Sequence, residues 1–114
     1  MDTLARFEKA LALVESNDNP EAWGDHGQAM GRWQVHPAIV WEYGPESVPL
    51  DATWDWVCQQ TVEPFFLDRM AVHGDVHRAE MEWNKGIHAV HDGAWDLERD
   101  IKFSARWEAL KDAV

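Results

Sequence analysis

Glu15 closes a helical pattern and opens a stretch rich in turn residues, a position where a carboxyl group could do acid–base chemistry. The C-terminal end of a helix carries partial negative charge, so it disfavours an ionised carboxylate and should raise the pKa of a glutamate placed there. A carboxylic acid with a raised pKa can protonate the leaving oxygen of a glycosidic bond. Glutamates at helix ends are most often solvated surface residues, so this position alone does not decide its role.

A second carboxylate would decide which mechanism is open to Glu15. A retaining or inverting glycosidase needs one, either as nucleophile or to activate water. Asp25 is the better candidate because it lies in the same Gly-rich loop, and Asp18 is the weaker one. Aspartate between glycines is also an ordinary turn former, so a purely structural role for Asp25 stays open.

The elements that must position these residues are predicted to be mainly helical. Leu4, Phe7, Leu11 and Val14 recur at spacings of three and four, which predicts a helix over about residues 3–15. Further elements are expected at 37–43, from an Asp51 N-cap to about 72 with a bend or a new helix at Pro64, at 75–83 and within 94–113, with one strand pair within 30–35. We therefore expect one domain over residues 1–114, mainly α, with a small β-hairpin or extended shelf beside the site.

Two blocks of sequence resemble a known superfamily. Glu15-Ser16, Asn19-Pro20 and Gly27-x-Ala29-x-Gly31-x-Trp33-Gln34-Val35 resemble, in order and spacing, the signature of the soluble lytic transglycosylases and of phage and goose-type lysozymes. Glu82-Trp83-Asn84-Lys85-Gly86 resembles the aromatic-Asn-x-Gly motif of the same lysozyme-like superfamily. Residues 103–107 resemble its closing helix.

The resemblance implies a lysozyme-like fold and cleavage of peptidoglycan between N-acetylmuramic acid and N-acetylglucosamine. Glu15 would be the general acid, and either hydrolysis, with Asp25, or anhydro-forming cleavage remains possible. The residues implied to hold the acid or the glycan are Ser16, Gln34, Trp83 and Asn84. Arg32-Trp33 departs from the family pattern, which usually has two medium-sized apolar residues there. Aromatic faces stack on sugar rings, so Trp33 or Trp83 on the wall of an open cleft would suit an oligosaccharide. Trp83 stands where relatives usually have tyrosine, so the tuning of Glu15 should differ.

Composition narrows the partners. The net charge of −11 and the pI near 4.7 disfavour nucleic acid as a partner and would not attract an anionic cell wall. No apolar run approaches membrane-spanning length. Cys58 is expected to be a small core residue. Core positions are also expected for five of the eight tryptophans, Trp41, Trp54, Trp56, Trp95 and Trp107. The pairs His73/His77 and His88/His91 have spacings seen in zinc sites, but without a supporting motif we expect no metal and no cofactor.

The sequence shows no signal peptide, so we expect synthesis in the cytoplasm and action in the periplasm, on the cell wall or within a virion. A phage lysis pore or a virion would then deliver the protein. Two other functions remain open. The chain could be a catalytically silent lysozyme-fold module of a phage particle, or an acidic inhibitor that mimics nucleic acid.

Overall fold

A computed structural model of the chain describes residues 1–112. The elements in chain order are α1 (Thr3–Ser16), β1 (Trp23–Gly24), a short 3-10 helix (Asp25–Gly27), β2 (Ala29–Met30), α2 (Pro37–Tyr43), α3 (Trp54–His73), α4 (Val76–Lys85), α5 (Ile87–His91) and α6 (Leu97–Ala109). The described chain is mainly helical with one small antiparallel sheet, which confirms that part of the predicted fold class. Within residues 1–112, no helix is long and apolar enough to cross a membrane.

Helix α1 begins and ends on clear local signals. The Asp2 carboxylate accepts a hydrogen bond from the Ala5 N–H at 2.7 Å and caps the first turn. At the other end Asn17 adopts a left-handed conformation (φ 56°), and its N–H donates to the Leu13 carbonyl. The predicted helix over residues 3–15 is confirmed, and Glu15 lies in its last turn.

Helix α2 begins at Pro37 and ends before Gly44, as predicted. The start and course of α3 correct two predictions. Its N-cap is Thr53, whose hydroxyl accepts from the Trp56 N–H at 3.1 Å, so the predicted cap at Asp51 is wrong. One helix continues through Pro64, so of the two alternatives predicted there, a bend or a new helix, the new helix is wrong. Its neighbours Val62, Phe65 and Phe66 are buried, and this packing holds both halves in the core despite the lost hydrogen bond.

Helices α4 and α6 follow the predicted segments with shifted bounds. Asp75 caps α4 by accepting from the N–H groups of His77 and Arg78. Helix α6 begins after the Asp96 cap and ends at Ala109, so it is shorter than the predicted segment, whose last residue Ala113 lies outside the described residues. The short α5 after Gly86 was not predicted.

The small sheet lies upstream of its predicted place. Trp23 pairs with Met30 and Gly24 with Ala29, whereas Met30 and Val35 share only an isolated bridge. The predicted strand pair within 30–35 is therefore corrected. Gly31 (φ 90°) and Gln34 (φ 51°) are both in left-handed conformations, so this segment forms a tight turn.

The core joins α1, α3, α4 and α6. The Phe7 ring lies 4.2 Å from that of Phe66 and 5.9 Å from that of Phe103, between centroids. Cys58 is fully buried, as predicted, and burial raises the pKa of its thiol to about 12. Trp41 is 94% exposed and Trp95 is 44% exposed, so their predicted core positions are wrong.

Candidate active site

A cavity of about 250 Å³ opens beside the end of α1. Its lining residues are Glu15, Gly24, Asp25, Gln34, His36, Trp83 and Asn84. Five of these are predicted site residues, contributed by α1, the 24–36 loop and α4. The fold therefore brings the two sequence blocks together at one place, called here the Glu15 cavity.

Glu15 is largely buried, with 10% of its side chain exposed. Burial raises the pKa of its carboxyl above the usual value of 4.5, and the nearby Arg99 opposes this effect. The charge of Asp25 raises the pKa of Glu15 further, whereas His36 lowers it. The net direction is upward, so a proton is held more tightly on Glu15 than on an exposed glutamate.

Arg99 links Glu15 to a second buried carboxyl. Its Nη2 donates to Glu15 Oε1, and its Nε donates to Glu80 Oε1. The side chain of Glu80 has no exposed surface, and its pKa is raised to about 7, first by burial and also by the charges of Glu15 and Asp100. One guanidinium thus faces two buried carboxyls, one at the cavity and one behind it.

Asp25 and His36 form the exposed side of the Glu15 cavity. His36 Nε2 lies 3.0 Å from Asp25 Oδ2, and 70% of the Asp25 side chain is exposed. Asp25 has φ 48°, a left-handed conformation that aspartate tolerates in turns. A solvated carboxylate across from a buried one is the kind of division that acid–base chemistry requires.

Gln34 is held in the cavity wall by the loop itself. Its side-chain amide donates to the carbonyls of Gly31 at 2.9 Å and Ala22 at 3.3 Å. A Cβ on Gly24 would lie 2.2 Å from Gln34 Oε1, so only glycine allows this close approach.

Ser16 fixes the loop to the end of α1 and does not line the Glu15 cavity. Its hydroxyl donates to the Arg32 carbonyl at 2.7 Å and accepts from the Asn19 N–H at 3.0 Å. This agrees with the expectation that Ser16 helps to hold Glu15, through the backbone that follows it.

Trp33 does not line the Glu15 cavity, contrary to the expectation drawn from its aromatic face. Its side chain is in the core, only 5% of the residue is exposed, and its indole N–H donates to the Glu8 carbonyl at 2.9 Å. The expectation that Trp33 forms a wall of the cleft is corrected, because its ring fills space between the loop and α1. Trp83 does line the cavity but is 9% exposed, and its indole N–H donates to the Trp33 carbonyl at 2.9 Å. Asn84, next to it, is exposed.

Two further cavities adjoin the first. One of about 950 Å³, with α2 and α5 on its walls, shares His36, Trp83 and Asn84 with the Glu15 cavity. One of about 340 Å³, along the start of α6, shares Asn84. The three cavities meet around Asn84 and are together called here the groove.

Four of the six histidines lie against carboxylates, including both members of the His88/His91 pair. His77 contacts Asp100 at 3.1 Å, and both His88 and His91 contact Asp92. Across residues 1–112, no group of three or more His, Cys, Asp or Glu side chains is arranged to hold a metal ion.

Sequence reasoning missed three residues of this site, Glu80, Arg99 and His36. Glu80 and Arg99 are 19 residues apart and meet only because α4 packs on α6. The buried segment of α4, residues 79–83, contains two glutamates among apolar residues, and that was the available signal. Charged residues on a buried helix face require partners elsewhere in the fold.

Comparisons of the chain with protein-family models, with curated proteins and with solved structures found no match.

Proposed function

We propose that this chain is a lysozyme-like domain that cleaves peptidoglycan glycan strands between N-acetylmuramic acid and N-acetylglucosamine. Glu15 is the general acid that protonates the leaving oxygen. The observation that carries the proposal is the Glu15 cavity, where a buried glutamate with a raised pKa faces an exposed aspartate across an open space.

The groove supports a polymeric substrate. The Glu15 cavity and the two adjoining cavities meet around Asn84, so a chain of sugars has room to extend beyond the acid. Asn84 lines all three cavities and offers an amide to sugar hydroxyls. Trp23, which is 66% exposed and adjoins Gly24, offers the aromatic face that Trp33 does not.

The local charge of the groove differs from the net charge of the chain. The cavity along α6 is lined by Lys85, Arg99 and Lys102 together with Asp96 and Glu98. Arg99 is held by Glu15 and Glu80, and Lys102 lies 3.6 Å from Glu98. Lys85 is therefore the side chain of this cavity best placed to accept a carboxylate of peptidoglycan despite the net charge of −11.

Two routes follow protonation by Glu15. In hydrolysis, Asp25 would activate water or stabilise the positive charge on the sugar. In anhydro-forming cleavage, the substrate's own groups complete the reaction and Glu15 then acts as base. The exposed Asp25, in contact with His36 at 3.0 Å, favours neither route by itself, and the products distinguish them.

The test is digestion of purified peptidoglycan by the parent protein and by Glu15→Gln, with products weighed by mass spectrometry. We expect the variant to fold and to lose most turnover, roughly 100-fold or more, because general acid catalysis contributes about that much. Anhydro-muramyl products would assign a lytic transglycosylase, and reducing ends would assign a muramidase and a working role for Asp25.

Glu8→Gln is the matched control. Glu8 lies on the same helix, and burial raises its pKa to about 7, but it lines a different cavity together with Lys9 and Gln59. We expect this variant to cleave glycan at the parent rate. Equal activity of the parent and Glu15→Gln would refute the assignment of the acid.

A catalytically silent binding module is the second candidate, and the Arg99 contact favours it. An ion-paired carboxylate is stabilised in its ionised form and is a poor proton donor. Glycan binding without products, by a folded parent protein, would assign this function instead.

A further inference from the structure

The Arg99 guanidinium faces two buried carboxyls, so one positive charge lies between two groups that can each become negative. Its guanidinium donates to Glu15 through Nη2 and to Glu80 through Nε. Glu80 Oε2 is buried and has no hydrogen-bond partner within residues 1–112. If both carboxyls ionised, two negative charges would depend on a single positive charge in a region of low dielectric.

We infer that Glu80 is a positioning residue that keeps a proton available to Glu15, because it takes one edge of Arg99 and prevents this guanidinium from compensating Glu15 alone. The inference rests on the proposed function for its catalytic meaning. Its electrostatic part concerns the three side chains themselves. Two carboxyls that share one arginine titrate as a pair, and the pair retains one proton to higher pH than either carboxyl would alone.

Other charged groups face this pair from the elements packed against it. On α6, Asp100 adds negative charge near Glu80. From the loop, Asp25 raises and His36 lowers the pKa of Glu15. The arginines on the far side of α4, Arg69 and Arg78, contact Glu82. No further cation is paired with Glu15 or Glu80 in the described part of the chain.

The buried Glu80 Oε2, which has no hydrogen-bond partner in the described residues, is the geometric observation that supports a protonated Glu80. A buried carboxylate oxygen without a donor is costly, whereas a protonated carboxyl reduces that cost. The raised pKa of Glu80, about 7, agrees with this. Since an interaction between two sites is reciprocal, Glu80 must affect the protonation of Glu15 as Glu15 affects that of Glu80.

The first experiment measures the pH profile of glycan cleavage by the parent and by Glu80→Gln. Without the charge of Glu80, Arg99 compensates Glu15 alone, so Glu15 loses its proton at lower pH and the alkaline limb moves to lower pH. We expect roughly a tenfold loss of activity at pH 7 and near-parent activity at pH 5. A merely structural role would lower activity equally at both values.

Glu82→Gln is the matched variant. Glu82 is on the same helix and equally buried, and it is ion-paired with arginines, but it does not contact Arg99 or Glu15. We expect its alkaline limb to stay where the parent's is, whatever its overall rate. A limb that moves equally in both variants, or in neither, overturns the inference.

The second experiment requires no substrate. Carboxyl-detected ¹³C NMR titration follows the midpoint of Glu15 in Glu80→Gln and the midpoint of Glu80 in Glu15→Gln. We expect both midpoints to fall relative to the parent. If Glu80→Gln does not fold, the midpoint of Glu80 in Glu15→Gln still tests the interaction. Unchanged midpoints overturn the inference even in an active enzyme. Lowered midpoints in a protein that never cleaves glycan refute the proposed function and leave the shared proton established.

Discussion

The two buried glutamates of α4 form opposite electrostatic regions of one small protein. Glu82 accepts from Arg69 at 2.9 Å and 3.0 Å, and Arg78 lies 3.6 Å from it, so two cations face one carboxylate. Glu80 shares the single Arg99 with Glu15, so two carboxyls face one cation. Both glutamates are fully buried, and they are two residues apart.

Burial alone therefore does not determine the role of a glutamate. A buried carboxylate that is ion-paired with two arginines ties helices together. A carboxyl that shares a single cation with a second carboxyl keeps a proton and thereby affects the protonation of that second carboxyl. The first region joins α3 to α4, and the second lies behind the Glu15 cavity.

The largest change in stability should come from removing Arg69, the arginine that donates two hydrogen bonds to Glu82. Arg69→Met leaves Glu82 with Arg78 alone, so we expect a loss of about 3–5 kcal/mol in the free energy of unfolding at pH 7. Urea denaturation followed by tryptophan fluorescence measures it.

Lys9→Met is the control for that loss. Lys9 pairs with Asp18 at the surface and is 43% exposed, so we expect less than about 1 kcal/mol. A similar loss from both variants would mean that the buried Arg69–Glu82 pair contributes no more to the free energy of unfolding than a surface ion pair does.

An intermediate effect should appear in the pH dependence of stability. The pKa of Glu80 rises from 4.5 to about 7 on folding, so the native state holds this proton more tightly than the unfolded state. Stability is therefore lost as pH rises from about 4.5 through 7. In Glu80→Gln that loss is absent. The variant should gain on the order of 2 kcal/mol relative to the parent between pH 5 and pH 8.

Denaturation of both proteins at the two pH values tests this expectation. Parallel pH profiles for the parent and Glu80→Gln would show that Glu80 has no special share in the acid stabilisation.

The smallest effect should come from Glu8, a partly buried carboxyl on α1. Burial, assisted by the charge of Glu63, raises the pKa of Glu8 to about 7. Its surroundings are partly solvated, so Glu8→Gln should gain only about 0.5 kcal/mol at pH 8. Chemical denaturation measures the gain. If this variant also moved the alkaline limb of glycan cleavage, a raised pKa anywhere on α1 would suffice, and the contrast between the two sides of α4 would lose its meaning.

Local patterns predicted the parts of the fold that depend on local signals. The apolar spacing and the turn residues around α1 gave its bounds, and Pro37 and Gly44 gave those of α2. Pro64 misled the prediction because its effect on a helix depends on tertiary packing, which buries the residues on both sides of it. Trp41 misled it because an amphipathic pattern does not show which helix face finds a partner.

The site was predictable where the motifs are contiguous and unpredictable where its parts meet only through folding. Glu15, Asp25, Gln34, Trp83 and Asn84 line one cavity, as two short sequence blocks indicated. Trp33 was misplaced because the motif gives the position of a residue along the chain and not the direction of its side chain. Arg99 was missed because 84 residues separate it from Glu15, and no local pattern records that contact.

The single cysteine provides an internal reporter of breathing motions near the site. Cys58 Sγ lies 4.0 Å from the Met30 carbonyl and 3.5 Å from the place of a Cβ on Gly31, so it lies between α3 and the loop that supports Gln34. A thiol with a pKa of about 12 and no exposed surface reacts with a disulfide reagent only when α3 and the loop separate. The rate at which Cys58 reacts with this reagent therefore reports how often α3 and the loop separate, in a protein that needs no substitution and no attached probe beforehand.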